Sequence, residues 1–224
     1  MCGRFFISEA NDGQLAALIG EAAKRQTALT GEDTVARGEV SPGAVVAALA
    51  AGKSGNIGAY PLQWGFHRAD GKGLIINTRS ETAMERPLFK ASMRERRCLI
   101  PCSWYFEWEV RDAQPSLLED APSLQIRGDG PAGGKRRPQL RVKYAIRPRR
   151  PGLMYLAGIY RYEADRRLPV FSILTRAPAP EIAFIHDRMP VIFSEANCRA
   201  WLDGAVDPAE ALQQCETAMV FRAT

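Results

Sequence analysis

Leu140, Val142, Tyr144 and Ile146 alternate with Gln139, Arg141 and Lys143. That period of two predicts a half-buried strand. Further short apolar runs, bounded by Gly, Pro or charged residues, predict strands at 3–7, 45–50, 62–66, 74–76, 98–100, 104–108, 153–160, 170–175, 189–193 and 219–221. Pro101 is expected to end the strand at 98–100. Helical spacing is rarer. Leu15, Leu18, Ile19 and Ala22 fall at i, i+3, i+4 and i+7, which predicts a helix over 14–25. A second helix is expected at 89–96, with short helical pieces at 80–84 and 180–186. Ser194 is expected to cap a helix holding Trp201 and Leu202, and Asp207-Pro208 to open another. Residues 38–43 read as a turn and 67–73 as a polar loop.

Many strands with dispersed helices predict one α+β domain over 1–224, built on a mixed, curled sheet. Residues 111–138 depart from this pattern. They are rich in Pro, Gly and charge, and are expected to form a long, exposed, mobile insertion.

The chain has 30 Lys+Arg against 25 Asp+Glu, a net charge of +5. That permits a polyanionic partner without requiring one. Five cysteines, odd in number and irregularly spaced, read as free thiols of a reducing compartment. No apolar run reaches transmembrane length and no signal-peptide pattern follows Met1, so a cytoplasmic protein with no membrane partner is expected. Cys98 and Cys102 have a spacing permissible for zinc, but no second pair matches it and Pro101 lies between them. No metal or cofactor is expected.

Cys2 stands directly behind Met1. Removal of Met1 would leave one residue with two nucleophiles, an α-amine of reference pKa about 7.7–8.0 and a thiol of about 8.5. Both would be partly unprotonated near neutrality. Together they can close a five-membered thiazolidine on an aldehyde, which no internal cysteine can do. The alternative is an incidental residue at a frayed terminus. Glu107 lies within Trp104-Tyr105-Phe106-Glu107-Trp108, a β-prone run. It is either partly desolvated and suited to acid–base work, or turned to solvent by strand alternation. Of two histidines, His67 falls in a polar loop and reads as solvated. His186 ends an apolar piece, where it either caps or pairs with the Cys2 thiol as a base. Asn77-Thr78-Arg79-Ser80-Glu81-Thr82 follows a buried strand, a favourable place for site residues.

Taken in order, several stretches resemble the SOS response-associated peptidase (SRAP) family. They are Met1-Cys2-Gly3-Arg4-Phe5, Ser41-Pro42-Gly43, Trp64-Gly65, Asn77-Thr78-Arg79-Ser80-Glu81-Thr82, Arg97-Cys98-Leu99-Ile100-Pro101 with Phe106-Glu107-Trp108, Ala157-Gly158-Ile159, and Ile185-His186-Asp187-Arg188-Met189-Pro190-Val191. The resemblance covers nearly the whole chain. It implies a barrel-like sheet with peripheral helices and a covalent trap for abasic sites in single-stranded DNA. Cys2 would be the nucleophile, Asn77 would orient the amine or sugar, and Glu107 would shuttle protons. His186 would be the acid that helps open the sugar ring and release the adduct. Arg4 and Arg79 match positions that hold phosphates, and Pro42 and Trp64 would join the DNA-contacting set. Removal of Met1 by the same site would be the peptidase activity, and adduct release a lyase-like one. A monomer is expected, nucleoid-associated when acting on DNA. Rival readings are a cysteine peptidase acting on other polypeptides and a noncovalent module for modified bases. Two stretches depart from the family pattern. Phe66-His67-Arg68-Ala69-Asp70 replaces a proline and tryptophans that stack on bases, and Ser103-Trp104 replaces a glycine-containing approach to the aromatic pair.

Overall fold

The computed structural model describes residues 2–8, 13–52, 55–112, 125–127 and 139–224, with side chains at all of these except 112 and 125–127. In chain order the elements are β1 (Arg4–Ile7), α1 (Gly13–Thr30), β2 (Gly38–Val40), β3 (Val45–Ala51), β4 (Ile57–Trp64), β5 (Phe66–His67), β6 (Leu74–Ile75), β7 (Asn77–Arg79), α2 (Pro87–Glu95), β8 (Arg97–Cys102), β9 (Trp104–Asp112) and β10 (Gln125–Arg127). There follow β11 (Gln139–Pro148), β12 (Met154–Arg161), β13 (Val170–Arg176), a 3₁₀ turn (Pro180–Ile182), β14 (Met189–Pro190), β15 (Ile192–Phe193), α3 (Cys198–Leu202), α4 (Pro208–Leu212) and β16 (Met219–Ala223). Among the described residues no helix is long and apolar enough to cross a membrane.

Two sheets carry the fold. In the larger, β13, β4, β3, β8 and β12 pair in succession, and β12 pairs back onto β13. The strands thus close a ring, as expected for an α+β chain with a mixed, curled, barrel-like sheet. Most pairings are antiparallel, but β13 runs parallel to both β4 and β7. The second sheet is open, in the order β10, β11, β9, β1, β2, with β16 on β11. Phe5 of the open sheet reaches into the ring's core and packs against Trp64, which stacks on Phe171. A second apolar cluster, including Phe66, Tyr155, Phe193 and Trp201, seats the short helices against the ring.

Where the structure differs from the sequence reading, long-range partners are the reason. Helix α1 runs past 25 because Gln26 continues its buried stripe and bonds through both amide atoms to Thr34 (2.7 and 3.0 Å). It stops at Gly31, whose φ of +81° a side chain would resist. Pro101 does not end its strand. It lies inside β8, opposite Tyr155, and the ladder from β8 to β3 runs no further than Leu99. Its missing N–H therefore leaves no ladder bond unmade. The run 189–193 is split in two, because β14 pairs with β13 and β15 with β12. Residues 80–84 form turns rather than a helix, and the helical piece from 180 shrinks to the 3₁₀ turn. Asn197, not Ser194, is the N-cap residue of α3. Gly38–Val40 is not turn but edge strand, paired with β1. His67 is not a solvated loop residue. It sits on β5, with Nδ1 2.6 Å from Glu163. Most of the expected insertion at 111–138 lies outside the described residues. What is described of it continues the open sheet, with Asp112 opposite Gln139 and β10 paired to β11.

Candidate functional site

The site forms where the open sheet meets the ring. β1 begins two residues after Cys2 and pairs on both sides, with β2 and with β9. That double pairing fixes the head of the chain, and Cys2 is 0 % exposed. Its Sγ lies 3.8 Å from the carbonyl oxygen of Arg4. On β9, Tyr105 and Glu107 alternate with Trp104, Phe106 and Trp108; the Glu107 charge bears on Cys2, and Cys2 and Glu107 both bear on Tyr105. Of the two readings for Glu107, the buried one holds, since it is 4 % exposed.

Asn77 arrives from the ring side. Its Nδ2 donates to the carbonyl of Cys2 at 2.9 Å. Three features set that position. β7 runs parallel to β13 with Asn77 opposite Ile173. The indole N–H of Trp64 donates to the carbonyl of Ile76, one residue ahead (3.0 Å). Beyond Asn77, Thr78 shares a hydroxyl–hydroxyl bond with Ser172 (2.8 Å), buried on both sides. Asn77 Oδ1 is buried and has no hydrogen-bond partner among the described residues. It is an acceptor in place for an N–H near Cys2.

Burial pushes the Cys2 thiol well up from its ordinary value, and the Glu107 charge pushes the same way. Cys102 and Tyr105 are also pushed up, first by burial and then by the charge of Cys2. Cys2 and Tyr105 thus keep their protons within the influence of the Glu107 carboxyl, which suits proton transfer on demand rather than a standing thiolate. Tyr105 and Cys102 were missed in the sequence. Their signal is alternation: Tyr105 shares the face of β9 that carries Glu107.

His186 follows the 3₁₀ turn, behind Ile185, which is buried in the same core cluster as Cys2. Its Nδ1 lies 3.1 Å from the Arg188 N–H and 2.7 Å from Asp187 Oδ1. Arg188 ties this segment to the loop after Asn77. It makes a two-pronged bond to Glu81 (2.8 Å each) and donates to the carbonyl of Thr175 (2.6 Å). The Arg188 hydrogen bonds hold the Glu81 carboxyl below the usual range. Nothing in the sequence spacing joins positions 81 and 188; only the parallel β7–β13 ladder does.

The expected DNA contacts divide. Arg79 is exposed and forms no ion pair among the described residues. Arg4 is exposed but bonded to Glu39 at 2.9 Å, which Lys143 also holds (2.8 Å). Pro42 is exposed in a tight turn, where Gly43 takes a φ of +90° and donates to the Trp64 carbonyl. Trp64 is not a contact residue. It is 0 % exposed, stacked in the core, with its only side-chain donor spent on Ile76. Its part is to hold the backbone that carries Asn77.

Solved structures share this architecture. A phage-related protein of Bordetella bronchiseptica matches with a TM-score of 0.65 over 100 % of this chain and 94 % of its own, at 19 % identity. A protein from Bacteroides thetaiotaomicron matches with a TM-score of 0.68 over 99 % and 91 %, also at 19 % identity. In sequence, the abasic site processing protein YedK of Escherichia coli (strain K12) is 27 % identical over 214 residues, 94 % of this chain and 83 % of its own. The abasic site processing protein YoqW of Bacillus subtilis (strain 168) is 27 % identical over 132 residues, and the matched part spans about half of YoqW (48 %) and 58 % of this chain. The profile of the SOS response associated peptidase (SRAP) family matches residues 1–222, from Cys2 through Asn77, Glu107 and His186 into the last strand. The chain belongs to that family.

Proposed function

We propose that this protein processes abasic sites in single-stranded DNA by forming a covalent bond between Cys2 and the opened sugar, acting as a monomer. The observation that carries the reading is the seat of Cys2: buried, held by Asn77 through its carbonyl, and set within the influence of Glu107. The names of YedK and YoqW point to the same substrate.

The chemistry begins when Met1 is gone. His186 acts as the acid that opens the deoxyribose ring and exposes its aldehyde. The α-amine of Cys2, oriented by Asn77, adds to C1′. Loss of one water gives an imine. The thiol then adds to the imine carbon and closes the thiazolidine. Its proton passes to Glu107 and from there to the ring nitrogen, so the step is balanced without any outside reactant. A thiol kept neutral by burial needs such a base at the moment of closure, which gives Glu107 its role. Arg79 and Arg4 hold flanking phosphates, with Arg4 leaving Glu39 to do so, and Pro42 presents the neighbouring turn. A peptidase built on a Cys2–His186 ion pair fits less well, because that pair relies on a lowered thiol pKa and here it is raised.

The test is incubation with uracil-containing single-stranded DNA and a uracil glycosylase, then a denaturing gel and intact mass. A heat-stable adduct, one water lighter than its parts, on a chain lacking Met1 is expected, and none from Cys2→Ser. A stable adduct on chains shown by mass to retain Met1, or an equal yield from Cys2→Ser, would overturn the reading.

A further inference from the structure

The face of β9 turned away from Cys2 carries a second set of groups, of which only Arg4 enters the proposed chemistry. Arg4 stands opposite Phe106, Phe106 opposite Ala145, and Ala145 opposite Arg222. These four lie in one line across β1, β9, β11 and β16. Arg4 and Arg222 are therefore three strand spacings apart, roughly 14 Å. Beside this line Phe6 stacks on the Trp104 indole (4.5 Å, 6° between planes), and the Arg222 guanidinium lies 5.7 Å over the same ring. Lys143 sits 3.8 Å over Phe106 and Arg141 5.5 Å over Trp108. At the Trp104 end the face deepens into a cleft of about 540 Å³, walled by Trp104, Arg147, Leu153, Val220 and Arg222.

The charge on this face is unbalanced. Arg4 and Lys143 share Glu39. Arg147 and Arg222 form no ion pair among the described residues, and no carboxylate lines the cleft. Two uncompensated guanidinium groups beside an indole and an aliphatic wall suit a ligand with phosphates at nucleotide spacing and flat apolar groups between them.

We infer that the cleft at Trp104, Arg147 and Arg222 binds single-stranded nucleic acid, as the continuation of the strand whose damaged nucleotide sits at Cys2. The inference rests on the proposed reaction for its direction, with Arg4 as the common point between site and cleft. Phosphates pair with Arg147 and Arg222, and a base or sugar packs on the Trp104 indole and Leu153.

The test uses a lesion-free oligothymidylate and fluorescence anisotropy over a salt series, so it reads strand binding whether or not Cys2 captures aldehydes. Arg147→Ala/Arg222→Ala is expected to weaken binding about tenfold and to flatten the slope of log K against log salt by about 1.4, the value for two lost phosphate contacts. Arg94→Ala, exposed on the far side of α2, is the control and should change neither. In the wild-type protein, saturating oligothymidylate should protect Arg147 and Arg222 from phenylglyoxal, read by peptide mass. Wild-type affinity and slope in the double variant, or modification of both arginines at an unchanged rate under saturating DNA, would overturn the inference. So would a wild-type protein that does not bind the lesion-free strand.

Discussion

In the closed ring, β8 is buried along its whole length, and β12 and β13 nearly so, whereas β1, β11 and β16 of the open sheet each leave positions in solvent. The ring spends its side chains on packing. Trp64, Phe171 and their neighbours fill it, and the backbone it fixes delivers Asn77. The open sheet has two chemically different faces, with Tyr105 and Glu107 toward Cys2 and Trp104, Phe106 and Trp108 away from it. The contrast teaches where function can be placed. A strand buried on both faces has no room for an ionisable group without a partner, while a strand with one wet face can bury a single carboxyl at the joint and keep its cations outside. Variants in the ring should therefore change stability and leave the chemistry alone, and variants at the joint should do the reverse.

The largest effect is expected at Glu107. Glu107→Gln keeps the shape but removes the base, and adduct formation should slow about 10²–10⁴-fold at unchanged melting temperature. A wild-type rate in single-turnover gels would remove Glu107 from the mechanism. Next comes Gly158, where β12 crosses β8. A Cβ there would stand 2.9 Å from both Cys98 Sγ and Ile100 Cδ1. Gly158→Ala should cost about 1–3 kcal/mol, read as a melting temperature lower by about 2–4 °C per kcal/mol, with the adduct rate unchanged. A rate that falls with the stability would show that ring and joint are not separable.

The last effect is absent near neutral pH and develops only in alkali. Burial holds the Cys2, Cys98 and Cys102 thiols above their ordinary value. Unfolded thiols titrate near pH 8.5 while these stay protonated, so above that pH the folded state binds more protons than the unfolded one. Stability is flat below that point and falls as pH rises, by up to about 1.4 kcal/mol per pH unit for each thiol. Urea titrations across that range check it. Cys98→Ala should remove one thiol's share. Cys2→Ala should remove its own share as well. Equal slopes in wild type and both variants would mean that these thiols do not titrate as buried groups.

Much of this was legible in the residues because it is local. Alternation at Leu140, Val142, Tyr144 and Ile146 marks β11, and the stripe of Leu15, Ile19 and Ala22 marks α1. Asp207 caps α4 as its sequence suggests, accepting from Ala209 N–H at 2.8 Å. What was not legible depends on partners far along the chain. Pro101 is tolerated in β8 only because β3 has already left that side, and Met189–Pro190 and Ile192–Phe193 separate only because two different strands receive them. In the site, the ordered motifs pointed to Cys2, Asn77, Glu107 and His186. They did not say that Trp64 faces inward, because its bond to Ile76 crosses twelve residues of chain, nor that Arg188 holds Glu81 across 107.

Asp112 and Gln139 share one rung of the β9–β11 ladder, so they stand about 5 Å apart. The seat of Cys2 has a practical side. On the proposed chemistry the amino terminus must stay bare, which bars any permanent label there. A fluorophore or an affinity handle is better attached at an exposed residue away from that terminus, such as Arg94 on α2, which leaves the reacting end of the molecule free.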